Sequence, residues 1–147
     1  MIKISFPKYQ FKIKKDGEGD VIFDTIRKRW VSLSPEEWVR QNVIQYLLIE
    51  KLYPAGLFAV EKEIRMGELR RRCDIVVYDK ETLPWMIIEC KEMRVPLTVD
   101  TLDQVLRYHS SLTVPFIIIT NGGYCYGFRK ETNSFVEIHD FPAWSST

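Results

Sequence analysis

The sequence has no apolar stretch of the roughly 18 residues that a membrane-spanning helix needs; runs such as Phe116 to Ile119 are only strand-sized. Its first residues, Met1-Ile2-Lys3-Ile4-Ser5-Phe6, carry no secretory apolar core and no small-residue cleavage site, so a cytoplasmic protein is expected. Cysteine is scarce. Cys73, Cys90 and Cys125 are odd in number and widely spaced, which excludes a disulfide framework, and no CxxC pair marks a zinc site. His109 and His139 have no partner at a metal-ligand spacing and read as structural residues. Repeats, low-complexity tracts and Gly/Ser linkers are also missing, so residues 1–147 read as one domain. Nor is there an excess of either charge: 21 Lys+Arg against 20 Asp+Glu leave a net +1, whereas a dedicated nucleic-acid-binding domain usually shows a basic surplus. The chain is too short for motor machinery. With 46% hydrophobic residues it is also too apolar for disorder, and a chain of 147 residues buries roughly 68–70% of its unfolded surface without staples.

What is present is a succession of periodic segments. Residues 1–33 form an N-terminal β segment, in which Phe11-Lys12-Ile13-Lys14 alternates, Asp16-Gly17-Glu18-Gly19-Asp20 turns and Val21-Ile22-Phe23 resumes, as in a hairpin. Ser34-Pro35-Glu36-Glu37 places an N-cap Ser, a Pro at N1 and a Glu at N3, the signature of a capping box. The helix it predicts carries Trp38, Val39, Val43, Tyr46, Leu47 and Leu52 at helical spacing and stops at Tyr53-Pro54-Ala55-Gly56. Strands are predicted over 58–64, 72–78, 85–91, 114–120, 124–129 and 134–138, with a helix over 100–112 whose buried stripe is Leu102, Val105, Leu106 and Leu112. This order implies an α/β class with a mixed β-sheet flanked by α-helices and a core spanning 34–130.

The chemistry concentrates in two of these strands. A symmetric hairpin pairs Tyr78 with Trp85, Val76 with Ile87 and Asp74 with Glu89, so two carboxylates stand opposite each other. Like charges at that spacing are destabilising unless one is protonated or a cation lies between them. A hard divalent ion, Mg²⁺ or Mn²⁺, is the simplest resolution, and Lys91 on the Glu89 face is placed to orient a water or offset developing negative charge. Two acids, a metal and a lysine make a phosphodiester hydrolysis site. The tripeptide Glu89-Cys90-Lys91 proves little alone, since an acid-x-Lys occurs by chance roughly once in a chain of this composition. Its position at the end of an apolar strand carries the weight; the bland alternative is an exposed hairpin with Asp74 and Glu89 facing solvent beside Arg72 and Lys91.

Asp74, the strand Trp85–Ile88 and Glu89-Cys90-Lys91 resemble the core of the PD-(D/E)xK nuclease superfamily, which implies a restriction-endonuclease-like fold. The resemblance extends to Ser34-Pro35-Glu36-Glu37-Trp38-Val39-Arg40-Gln41, the strand Arg72–Tyr78, Gln104-Val105-Leu106-Arg107-Tyr108 and Thr120-Asn121-Gly122. Over about residues 20–130 these segments resemble the N-terminal nuclease domain of type I restriction enzyme R subunits and its short stand-alone relatives. In RecB-like members of the superfamily a helical Glu before the core assists the metal and a Q-x-x-x-Y motif follows it. By that resemblance Glu37 would join Asp74 and Glu89 on the metal, and Gln104 and Tyr108 would join the catalytic set with Lys91. Cys73 stands where the superfamily's nominal Pro would be. The resemblance implies a Mg²⁺-dependent deoxyribonuclease, with DNA as substrate and either a second copy or other restriction-system subunits as partners. The alternative is a non-catalytic DNA-binding or assembly module of the same fold.

Most of these residues also have plain structural readings. Glu37 can close the capping box on the Ser34 N–H, and Gln104 and Tyr108, four apart, can form a surface pair. Arg40 either orients a carboxylate, meets DNA or decorates a helix. Arg70, Arg71 and Arg72 form the strongest basic cluster and either meet phosphates or form a solvated run. The cysteines read as small core hydrophobes, with Cys90 pointing away from Glu89 and Lys91, and Tyr124, Tyr126 and Phe128 as packing residues on one strand face.

Overall fold

A computed structural model describes residues 1–144. Three antiparallel strands, β1 (Ile13–Asp16), β2 (Gly19–Asp24) and β3 (Arg29–Ser32), form an N-terminal sheet. The six-stranded main sheet comprises β4 (Phe58–Met66), β5 (Leu69–Tyr78), β6 (Pro84–Cys90), β7 (Phe116–Thr120), β8 (Cys125–Lys130) and β9 (Phe135–Ile138) in sequence order. Its neighbours are antiparallel except β6 and β7, which are parallel. Helix α1 (Pro35–Ile49) joins the two sheets, and α2 (Val99–His109) makes the crossover between β6 and β7. This is the α/β class with a mixed, helix-flanked sheet that the sequence implied, consistent with a restriction-endonuclease-like fold. No described helix is long and apolar enough to cross a membrane.

The helices sit on opposite faces of the main sheet. Val39, Val43, Ile44 and Leu47 of α1 pack with Ile75, Val77, Met86, Ile88 and Cys90. On the other face Leu102, Val105 and Leu106 of α2 pack against Ile117, Ile119 and Phe128. Both faces being covered explains why β6 and β7 read as continuous apolar runs. Ser34 caps α1, its Oγ accepting the Glu37 N–H at 3.0 Å. Thr98 caps α2 in the same way through the Thr101 N–H at 3.2 Å.

Several details depart from the sequence reading. Arg29–Ser32 adds a third strand to the N-terminal hairpin, while β9 forms where a strand is expected over 134–138. Helix α2 ends at His109, so Leu112 is buried from the following loop, packed with Val114 against Val76 and Ile87. Tyr124 precedes β8 and is exposed. The β5–β6 register holds at Val76↔Ile87 but slips beside the turn, where Tyr78 faces Pro84 rather than Trp85.

The most consequential departure lies at Asp74. The β4–β5 ladder pairs Val60↔Ile75 and Lys62↔Cys73 but skips the pair between them, Glu61 and Asp74. Glu61 there adopts a left-handed φ of 51°. Cys73 shares an apolar cluster with Val76 while Ile75 and Val77 belong to the cluster on the α1 face. Two residues three apart cannot share a face of a regular strand, so the alternation breaks at Asp74. Such an irregularity re-aims a side chain at a local cost of order 1 kcal/mol.

Candidate metal centre and its cleft

Asp74 lies at this break, where the β5–β6 ladder has also ended, its last pair being Ile75↔Ile88. Its Oδ2 accepts the Cys90 N–H at 2.8 Å, so a carboxylate fastens the two strands where main-chain pairing stops. Glu89, next to last in β6, is pushed up to about 9 by burial first and then by the charge of Asp74 and a hydrogen bond with it. Lys91 opposes that rise in part. The Lys91 main chain is held beside β7, its N–H donating to the Thr120 carbonyl at 2.8 Å. The first turn of α1 brings a third carboxyl. Glu36 is raised by burial and then by Asp74, while Arg40 and Lys91 act to lower it.

On the α2 side, His109 Nε2 lies 2.9 Å from Glu89 Oε1, with the imidazole fully buried. Burial, then the nearby Arg71 guanidinium, depresses the imidazole to about 4 against the pull of Asp74. His109 is therefore neutral at pH 7, and its buried Nδ1 has no hydrogen-bond partner among the described residues. Glu89, Lys91, Thr101, Gln104, Tyr108 and His109 line a cleft of about 260 Å³. Two larger hollows, about 390 and 470 Å³, meet at Trp38 and Met93 and hold none of these carboxylates.

Carboxylate oxygens suit a hard divalent cation, and the Asp74 charge that adds to the rise at Glu89 is the repulsion such a cation would relieve. The donor set fits magnesium or manganese. The family model of the type I restriction enzyme R protein N terminus matches residues 35–142. The chain belongs to this family. A search of the curated proteins finds no match. The span matched by the R protein N terminus begins at the first residue of α1 and contains all the carboxylates just described, whereas β1 to β3 lie outside it.

In this chain Glu89, Lys91, Gln104 and Tyr108 line one cleft, with Asp74 against Glu89. Glu37 is not brought there. Its Oε1 accepts from Arg27 Nη2 at 2.7 Å and its Oε2 from Gln41 Nε2 at 3.1 Å, so both oxygens are committed. The Glu37 side chain therefore does not close a capping box, although Ser34 caps the helix as expected. Arg40 is buried, with Nη1 3.2 Å from Glu61 Oε1 and Nε 3.4 Å from Glu37 Oε2, and so presents no guanidinium to a phosphate.

The basic run divides three ways. Arg71 donates from Nε to the Tyr108 carbonyl at 2.6 Å and stacks on the Tyr108 ring at 5.0 Å, fastening the end of α2. Arg72 donates its N–H to the Tyr108 hydroxyl at 3.3 Å and reaches Glu61 with its guanidinium at 3.4 Å. Arg70 is exposed, with no ion pair among the described residues.

Sequence reasoning missed Glu36, His109 and a buried network. Glu36 and Glu37 are adjacent acids, and one residue rotates the helix by about 100°, so their faces separate only once the packing of α1 is known. His109 carried a legible signal: it stands four after Val105 and seven after Leu102 on the buried stripe of α2. Its partner Glu89 comes from a strand 20 residues earlier, which no helical spacing reveals. Asp24, fully buried in β2, takes Arg27 Nε at 2.6 Å and Gln41 Nε2 at 3.0 Å, tying the N-terminal sheet to α1.

Proposed function

We propose that this domain is a divalent-cation-dependent deoxyribonuclease of the PD-(D/E)xK type, acting on DNA within a restriction system. The observation that carries this reading is the crowding of Glu89 against Asp74 beside Lys91 at the broken end of two strands. Asp74 and Glu89 would hold magnesium or manganese, with Glu36, in place of Glu37, as the third acid facing the site. A bound ion supplies charge neutralisation and a water acidified for attack on phosphorus.

The chain's own groups do the remaining work. Lys91 offsets negative charge gathering on the phosphate oxygens and opposes in part the rise at Glu89 and Glu36. Gln104, on the exposed wall of the cleft, donates or accepts a hydrogen bond to hold a water or a phosphate oxygen in line. The Tyr108 hydroxyl accepts the Arg72 N–H, which leaves its proton free to donate to a phosphate oxygen. Arg70 is the member of the basic run free to meet the DNA backbone. A near-neutral net charge accords with this picture, because some of the acids hold metal rather than face the duplex.

The test is Mg²⁺-dependent cleavage of DNA by the wild type, Glu89→Gln and Lys91→Ala. Cleavage by the wild type with a loss of two or more orders of magnitude in each variant is expected. Equal activity in all three, or no cleavage by the wild type with any divalent ion, would sink the assignment.

A further inference from the structure

Cys73, Glu89 and His109 form a constellation that phosphodiester hydrolysis does not use as a set. They come from β5, β6 and α2, and one donor atom from each lies within 4.8 Å of the others. Cys73 and His109 are each 1% exposed, while Glu89 and His109 line the cleft that leads to solvent. The broken alternation at Asp74 is what places a sulfur here. On a regular strand Cys73 would share the face of Ile75 and Val77, toward α1; instead it joins the cluster of Val76 and Ile87.

Sulfur, imidazole nitrogen and carboxylate oxygen together are a borderline donor set. They suit Zn²⁺, whose bonds run about 2.3 Å to sulfur and about 2.0–2.2 Å to nitrogen and oxygen, far better than the hard ions that want oxygen alone. Tetrahedral bonds of that length put donor atoms roughly 3.5 Å apart. The His109–Glu89 pair, at 2.9 Å, needs only to open slightly, and donors at the 4.8 Å limit need to close by about an ångström. The open cleft leaves the fourth position to water.

We infer that Cys73, Glu89 and His109 form a binding site for a zinc-class divalent ion that is mutually exclusive with the hard-cation site, because both require Glu89. Zinc therefore inhibits Mg²⁺-dependent cleavage by withdrawing a ligand. That consequence rests on the nuclease reading; the binding itself does not. Among the described residues His109 Nδ1 has no partner to orient the ring, and the loss of such an outer hydrogen bond typically weakens metal binding about 10–100-fold. The ion is thus held reversibly and removed by a chelator, unlike a structural zinc.

The experiment uses Co²⁺ as a spectroscopic substitute for Zn²⁺ on the whole purified chain. The wild type should develop the intense visible bands of tetrahedral cobalt and a near-ultraviolet thiolate-to-cobalt charge-transfer band, both erased by excess Zn²⁺ but not by the same excess of Mg²⁺. Cys73→Ser should lose the charge-transfer band, and His109→Gln should bind cobalt at least about tenfold more weakly. A wild type with no charge-transfer band overturns the inference without recourse to any variant, so a variant that fails to fold cannot shelter it. Retention of the band in Cys73→Ser overturns it as well. Cobalt bound through Cys73 in a protein that cleaves no DNA supports this site and removes only the nuclease reading; cleavage without the charge-transfer band does the reverse.

Discussion

Glu89→Gln should make the metal-free protein more stable while removing its response to magnesium. Glu89 is 15% exposed, and its carboxyl is raised to about 9 by burial and then by Asp74. The folded state therefore holds a proton that the unfolded chain releases above its ordinary value of 4.5, and wild-type stability falls as pH rises from there toward 9. His109, depressed to about 4, has the opposite sign, adding stability as pH rises from 4 toward 6.5, so its contribution is complete above pH 6.5 while that of Glu89 continues.

At pH 8 the upper bound is about 1.4 kcal/mol for each pH unit above 4.5, or roughly 5 kcal/mol. Glutamine is neutral in both states, and its amide can pair with His109 Nε2 in either tautomer. Urea unfolding with a chelator present, run from pH 6.5 to 9, should show the variant pulling further ahead as pH rises, by up to about 1.4 kcal/mol per pH unit. Saturating Mg²⁺ should then stabilise the wild type alone and narrow the gap. Parallel curves, or a variant less stable than wild type at pH 8, would refute the reasoning.

The two adjacent acids of α1 should behave oppositely. Glu37→Gln breaks a buried pair with Arg27 and should cost about 3 kcal/mol in thermal or urea unfolding. Glu36→Gln should leave stability within about 0.5 kcal/mol and weaken Mn²⁺ binding in calorimetry. Arg70→Ala should reduce DNA binding at low salt and flatten its salt dependence with stability unchanged. Arg71→Ala, which releases the Tyr108 carbonyl and ring, should instead lower stability by about 1 kcal/mol. At Gly127 an added Cβ would stand 2.7 Å from Ile2 Cδ1 and 2.9 Å from Ile138 Cγ1, so Gly127→Ala should cost roughly 1–3 kcal/mol by denaturation without altering metal binding.

Local patterns carried the elements. The Ser34 and Thr98 caps, the apolar stripe of α2 and the hairpin register around Val76 and Ile87 rest on residues a few positions apart, where spacing translates directly into geometry. The same spacing brought Asp74 and Glu89 together. The errors lie where two elements meet at a distance. The family resemblance points Glu37 at the metal, yet Arg27 and Gln41 take it. Arg40, a candidate DNA contact, is buried against Glu61. His109, without a partner near in sequence, sits 2.9 Å from Glu89.

The sequence by itself determined the class of fold, the strands that carry the acids and the register that pairs Val76 with Ile87, because period, caps and hairpin symmetry are properties of neighbouring residues. Only the tertiary structure decided which acid of α1 faces that pair, which arginines are free, and that a left-handed Glu61 breaks the alternation beside Asp74. Those outcomes depend on how a helix is rotated against a sheet and where a ladder stops. Long-range packing sets both, and through the break it brings Cys73 and His109 to the carboxylate that a hard cation would need.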